Sequence, residues 1–364
     1  MADAIAVVNA GSSSLKLSVI DEGDRSISSE NLVLERSQIE ADTLRGAIEA
    51  SGPVDAVGHR IVHGGSEFTG PVRIDERVVR RLHALADLAP LHQPKSLHGL
   101  ELVGKTLPDV PAVACFDTAF HAHIPAAATT YALPREWRTR WDLRRFGFHG
   151  LSHEYASRRT AELAGRQVAS FRVVTCHLGA GASLAAVRNG VSVDTTMGFT
   201  PLEGLVMATR SGSVDPGLLL WLEEHMGMPP SELASTLEHR SGLLGLTGTA
   251  DMKSILEAEE GGDEQAQLAV EVYLHRLCGG IATMTAAMEG LDALVYTGGV
   301  GERSPAIRAR SAARLGFLGI AIDPERNEQA PDAEIGADGA AARAFVVEAR
   351  EDLQIARDVR RLLG

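Results

Sequence analysis

An α/β protein built from two similar halves, with a cleft between them, is the fold that this sequence predicts. Three observations carry the prediction. Runs of β-forming residues end in glycine-rich turns at "VVNAGSSSLK" (residues 7–16), "HLGAGASL" (177–184) and "TGGVGERS" (297–304). In the first two the chain returns as a strand and not as a helix, so each half opens as a β-meander and not as a Rossmann unit. The length of 364 residues exceeds what one compact core usually holds, which favours two domains.

The elements follow in order. The first 35 or so residues read strand, turn, strand, charged turn, strand, an antiparallel meander. A helix is expected at about 41 to 50, then a strand over "VDAVGHRIV". An amphipathic helix should run from Asp75, its N-cap, to Ala89, where Pro90 stops it. "AVACFDTAF" reads as a buried strand ending in polar residues. From residue 151 the grammar repeats: "SHEYASRRTAELAG" is helical with a glycine stop, and "FRVVTCHLGAGASLAAVRNGVSV" is strand, glycine turn, strand. Helices are expected around 215–227, 231–239 and 265–289, before the strand and glycines of "DALVYTGGVGERS".

Composition excludes several classes. Apolar residues at 45% and charged residues at 23% are ordinary for a globular chain, and no apolar run approaches the ~20 residues of a bilayer span. "MADAIAVV" has no basic segment before its apolar one, so the expected compartment is the cytoplasm. A net charge of −13 without a Lys/Arg cluster argues against a nucleic-acid partner. Cys115, Cys176 and Cys278 are scattered in apolar runs without a C-x-x-C spacing, which suits buried free thiols.

The turns carry the chemistry. "VVNAGSSSLK" fails the P-loop pattern, yet a hairpin with Asn9, Gly11, Ser12 and Ser14 presents several N–H and O–H donors at one point, as phosphate binding requires. The second hairpin and the third glycine turn, placed to open a helix, strengthen that reading to a nucleotide held across a cleft. No H-E-x-x-H or paired-histidine spacing supports zinc. Arg60 ends an apolar strand and Arg210 sits beside a Ser-Gly turn, so both are expected to point into a pocket.

"VVNAGSSSLK", "GHRIVHGG", "LAPLHQP", "FDTAFH", "RRFGFHGLSH", "HLGAGASL", "DTTMGFTPLEGL", "TRSGSVDP", "SGLLGLTG" and "TGGVGE" occur in that order over nearly the whole chain. The set resembles the acetate kinases and their relatives, the propionate and butyrate kinases, in the superfamily that also holds sugar kinases, actin and heat-shock chaperones. The resemblance implies two duplicated ribonuclease-H-like (actin-like ATPase) domains around an ATP cleft, here residues 1–117 plus 352–364 and residues 118–351. It implies reversible in-line phosphoryl transfer from ATP to acetate, giving acetyl phosphate and ADP. A carboxylic acid is already ionised at neutral pH, so the obstacle is repulsion between two anions and not the making of a nucleophile.

Carried over residue by residue, the resemblance makes Arg60, Asp117, His149, Arg210 and His92 catalytic. Arg60 and Arg210 would hold carboxylate and phosphoryl oxygens, His149 the equatorial oxygens with His92 supporting, and Asp117 would organise metal and arginines. Val62, Leu91, Phe148 and Pro201 would form the acyl pocket, with Arg60. Ser12, Ser14, Lys16, His177, Leu178, Gly179, Ala180 and Gly181 would meet the nucleotide, as would Asp251, Met252, Lys253, Gly299, Val300, Gly301 and Arg303. Asn9 and Glu351 would lie at the metal, Mg²⁺ or Mn²⁺. A homodimer is implied as well. The chain departs from the family pattern at Ala180 and Arg303, where relatives have Asn, at Lys253, where they have Arg, and in the tail "EAREDLQIA", where they have "TNEE". The segment between 20 and 55 is shorter than usual. A propionate or butyrate kinase is the alternative within the class, and an ATP-driven switch module of the actin kind the alternative outside it. The latter has no need of the two arginines and His149.

Overall fold

The computed structural model describes residues 3–10, 14–33, 46–48, 50, 52–86 and 93–364. The chain forms two compact units, Met1–Ala122 with Phe148–Tyr155 and Arg350–Gly364, and His123–Gly147 with Ala156–Ala349. Each is built on one mixed sheet flanked by helices.

In the first unit the sheet runs β3-β2-β1-β4-β6-β5. Strands β1 (Ile5–Ala10), β2 (Ser14–Ile20) and β3 (Ser26–Val33) form the antiparallel meander. Strands β4 (Ala56–Ile61) and β6 (Ala112–Phe116) then pair in parallel, and the two-residue β5 (Val72–Arg73) closes the edge antiparallel to β6. A strand buried on both faces reads as a continuous apolar run, and β1 shows why. Ala6 and Val8 join one core with Val57 and Val103 of the helix Gln93–Thr106, while Ile5 and Val7 join another with Ile355, Ala356 and Val359 of the helix Glu351–Leu363.

The second unit repeats this order strand for strand. Its sheet, β9-β8-β7-β10-β12-β11, has an antiparallel meander of β7 (Arg172–Leu178), β8 (Ala182–Arg188) and β9 (Val191–Thr195). Two parallel strands follow, β10 (Ala293–Thr297) and β12 (Arg343–Val346), with a short antiparallel edge, β11 (Ala333–Glu334). Even the register irregularity falls in the second strand of both meanders, at Val19/Ile20 and Ala186/Val187. The duplication legible as two meander openings is therefore complete at the level of topology.

Several elements differ from the sequence reading. The helix opening at Asp75, whose side chain accepts from the Val78 N–H, ends at Ala84, and residues 87–92 lie outside the described set. Of the helix expected at about 41 to 50, residues 46–48 and 50 are helical and 41–45 are not described. The helices Gln93–Thr106, Arg135–Trp141, Met252–Glu260, Pro305–Arg314 and Glu351–Leu363 were not anticipated. The helix Glu264–Ala287 buries Leu277, Ile281 and Met284, whereas Leu268 is exposed. Cys115 and Cys176 are buried free thiols, and Cys278 is half-buried. Among the described residues no helix is long and apolar enough to cross a membrane.

Two histidines of the first unit carry a measurable consequence. Burial holds the imidazoles of His59, on β4, and His121, after β6, down at about 4. An unfolded histidine protonates near 6.5, so between about 6.5 and about 4 the unfolded chain binds the extra protons. Their contribution to stability is full above the upper limit and is lost as pH falls towards the lower, with a slope of up to ~1.4 kcal/mol per pH unit each. The urea midpoint should fall from about pH 7 to about pH 5, and fall less steeply in His121→Gln. Equal slopes in the two proteins would remove His121 as a source.

Candidate active site

In the first unit the candidate side chains gather where β1, β4 and β6 end, the side of a parallel sheet on which ligands commonly bind. Arg60 is the penultimate residue of β4, Asp117 follows β6, Asn9 nears the end of β1, and Glu351 opens the helix Glu351–Leu363. The Arg60 guanidinium grips Asp117 with two bonds, Nε to Oδ1 at 2.9 Å and Nη2 to Oδ2 at 2.7 Å. Its Nη1 donates to Asn9 Oδ1 at 3.1 Å and lies 3.5 Å from Glu351 Oε2. Asn9 Nδ2 donates in turn to Glu351 Oε2 at 3.2 Å. Burial disfavours the Arg60 charge, yet the Asp117 and Glu351 carboxylates outweigh it and hold the group cationic well above its ordinary range. Three of five N–H groups are engaged by these bonds, so the fork keeps donors for an anion while its plane is locked.

The loop "FGFHG" is fastened to the same place. Gly150 donates its N–H to Asp117 O at 2.8 Å, and a Cβ there would come within 2.3 Å of that oxygen, an approach only glycine permits. This contact sets Phe148–Tyr155 in the first unit, beyond the division expected at residues 117/118. His149, immediately before it, has a left-handed φ of 57°, an uncommon conformation for a side-chain-bearing residue. Phe148 is buried, accepts from the His121 ring at its carbonyl (3.1 Å) and stands edge-on to the His63 ring with centroids 5.3 Å apart. Val62 is half-buried beside His63.

The second unit holds a cavity of about 720 Å³, within the range of small-molecule pockets. Gly179 and Ala180 of the β7–β8 hairpin, Asp251, Met252 and Lys253, and Gly299, Val300 and Arg303 all line it. The hairpin closes through the Gly179 N–H on Gly181 O at 2.9 Å. Gly298, with a φ of 78°, turns the chain off β10 into the short helix Gly298–Arg303 against Leu178. Its N–H is held by Glu302 Oε1 at 2.9 Å, which also accepts from Ala349. Asp251 caps the helix Met252–Glu260, accepting from Ser254 N and Oγ, and these bonds keep its carboxyl below the usual range. Lys253 is exposed and 3.8 Å from Glu257.

Of the expected nucleotide residues, Lys16, His177, Leu178, Gly181 and Gly301 do not line this cavity, and Leu178 and Gly301 are buried. Sequence reasoning missed Leu243, Leu256, Glu257, Glu260 and Tyr273 as walls. The four-residue spacing of Met252 and Leu256 on one helix face was the available signal. Arg210, also in this unit, donates through Nη1 to Pro201 O at 2.8 Å. Burial lowers its proton affinity with only Glu238 opposing, and no carboxylate lies within ion-pair distance among the described residues. Pro201 is buried. Lys16 is exposed on β2, opposite Asn9 in register. Ser12, Leu91, His92 and the side chain of Ser14 lie outside the described residues.

No group of three or more His, Cys, Asp or Glu arranged for a metal occurs among the described residues. The oxygens of Asn9 and Glu351 nevertheless suit a hard divalent cation that keeps most of its waters and takes one or two carboxylates plus substrate phosphates.

Comparison with known proteins shows the family. The model of the acetokinase family matches residues 37–357. The acetate kinase of Thermotoga maritima is 40% identical over 396 aligned residues, covering 99% of this chain and 98% of its own. That of Pseudothermotoga lettingae is 45% identical over 327, covering 87% and 79%. The solved acetate kinase of Porphyromonas gingivalis superposes with a TM-score of 0.91 at 33% identity over 100% of both chains. A propionate kinase from Francisella tularensis gives 0.91 at 33% identity over 98% of each. By the span of the family match and the identity of these relatives, the chain belongs to the acetokinase family.

Proposed function

We propose that this protein is an acetate kinase, transferring the γ-phosphoryl group of ATP to acetate and running the reaction in reverse. The observation that carries the reading is the Arg60 fork, fixed by Asp117, Asn9 and Glu351 at the ends of three strands. A switch ATPase has no use for a half-buried, oriented guanidinium dedicated to a planar anion. Arg60 and Arg210 play different parts. The first is neutralised by its carboxylates and serves as an aligned donor of hydrogen bonds to the acid. The second is half-buried without a paired carboxylate, so an arriving phosphoryl group supplies the missing counter-charge. His149 donates to the equatorial oxygens as charge spreads over them, and Phe148 and Val62 give the methyl group an apolar wall. The attacking carboxylate needs no general base.

The nucleotide occupies the cavity of the second unit, its base against Leu243, Met252 and Leu256 and its phosphates towards Gly179, Ala180 and Gly299. Mg²⁺, held by Glu351 and Asn9 with Asp117 behind them, would offset the charge of the phosphates when bound. A homodimer is part of the proposal, supported by the helix Pro216–Met226, which buries none of its residues and exposes Leu218, Leu220, Trp221 and Met226. With ATP as its donor the enzyme belongs in the cytoplasm.

A hydroxamate assay for acyl phosphate across a series of short-chain acids tests the assignment. Acetate should be preferred and propionate tolerated, since one methylene discriminates by only ~1–3 kcal/mol, and Val62→Ala should shift preference to longer acids. Faster turnover of butyrate than acetate by the wild type would overturn it. Arg60→Ala and Arg210→Ala should each lower kcat by a hundredfold or more, the ~3 kcal/mol of one lost anion-stabilising donor or greater. A folded variant within a few-fold of wild type would take that arginine out of the mechanism. Ala180 is exposed on the cavity wall, so Ala180→Asn should add a donor to the phosphates and lower the KM for ATP by roughly tenfold, or ~1.4 kcal/mol. The KM for acetate should not move, and an unchanged KM for ATP would mean that another group fills that role.

A further inference from the structure

His149 stands in an uncommon backbone conformation, and its neighbours keep it there. The left-handed φ of 57° costs a residue with a Cβ free energy that the surrounding structure must supply. Two peptide planes meet at its Cα, and each is anchored. The plane that follows is held at both of its polar atoms: His149 O accepts from the His153 N–H at 2.9 Å, and the Gly150 N–H donates to Asp117 O at 2.8 Å. The plane that precedes is held at Phe148 O, which lies 3.1 Å from His121 Nε2. A carbonyl oxygen only accepts, and burial keeps the His121 imidazole uncharged, so the tautomer is the neutral one with its proton on Nε2.

Both outer anchors come from one short stretch, "DTAFH". Asp117 lends its carbonyl to Gly150 and His121 lends its ring N–H to Phe148, so the stretch grips the chain on either side of His149. Asp117 and His121 are both buried. The His121 main chain is itself fixed, its N–H donating to Thr118 O at 3.1 Å, and its ring stands edge-on to that of His153 with centroids 5.7 Å apart. Without the bond to Phe148 O, the peptide between Phe148 and His149 is free to rotate, the φ of His149 relaxes towards the commoner right-handed or extended range, and its imidazole turns away with it. We propose that His121 is a positioning residue, acting on the reaction through His149 by locking that peptide and with it the direction of the His149 side chain. The inference rests on the role given to His149 above and deepens it.

A double-mutant cycle on the full chain, read as acetyl phosphate formation, tests this. His121→Leu removes the donor and should lower kcat about tenfold, the loss of one hydrogen bond, with the KM for ATP and for acetate changed by less than about threefold. His121→Gln places an amide N–H at the reach of Nε2 and should restore kcat to within about threefold of wild type, a rescue that a role in packing alone would not give. His149→Ala should lower kcat about a hundredfold. Adding His121→Leu to it should cost nothing further, because the side chain through which His121 acts is gone. If His121→Leu does not fold, His121→Asn, whose amide is shorter by a methylene, takes its place in the cycle. Losses that multiply to about a thousandfold in the double variant would overturn the proposal and leave His149 in the mechanism, as would equal kcat values in the His121→Leu and His121→Gln variants. A wild-type kcat in His149→Ala would overturn the reading of His149 and the proposal with it.

Discussion

The pair between Arg60 and Asp117 is the interaction around which the first unit is arranged. A guanidinium and a carboxylate this close to the interior are stable only if each answers the other, because removing one partner from a buried pair leaves an uncompensated charge and costs ~3–5 kcal/mol. Asp117 is 2% exposed, and both of its oxygens bond to Arg60. The neighbouring structure converges on this requirement. Adjacent parallel strands bring the two residues together, Asn9 arrives from a third strand, and Glu351 comes from a helix almost at the other end of the chain. The Asp117 carbonyl then receives the Gly150 N–H and so sets the loop that carries Phe148 and His149.

The second unit solves the opposite problem with the same topology. Where the first unit neutralises its arginine in advance, the second holds Arg210 half-buried with only a carbonyl and a distant carboxylate for company. That cation is costly in the absence of an anion, and the cost is offset when one binds. Both units therefore carry one sheet order, and they differ in the residues at the strand ends.

How much of this was legible in the sequence varies with the range of the interactions involved. The two meanders, the glycine turns and the Asp75 cap are local, set by β-propensity, by backbone freedom and by one side chain reaching its own helix, so they could be read directly. The helix Glu351–Leu363 was hidden because its stability comes from Ile355, Ala356 and Val359 packing on β1, residues more than 340 positions away. The helix expected to run to Ala89 stops at Ala84, where favourable periodicity alone did not decide the end.

The same division holds for the site. Sequence by itself determined which residue types stand at the strand ends, the net charge of −13, and, through ten ordered motifs, the family to which the chain belongs. It could single out Arg60 and Arg210 because arginine beside a glycine-rich turn is conspicuous, whereas Asp117 was named through the family resemblance. It could not tell that Arg60 would be neutralised and Arg210 would not, since counter-charge depends on Asn9, Asp117 and Glu351, which lie from 51 to 291 residues away along the chain. Nor could it give the walls formed by Leu243, Leu256 and Tyr273. Burial and ion pairing are properties of distance in space, and only the folded chain sets those distances.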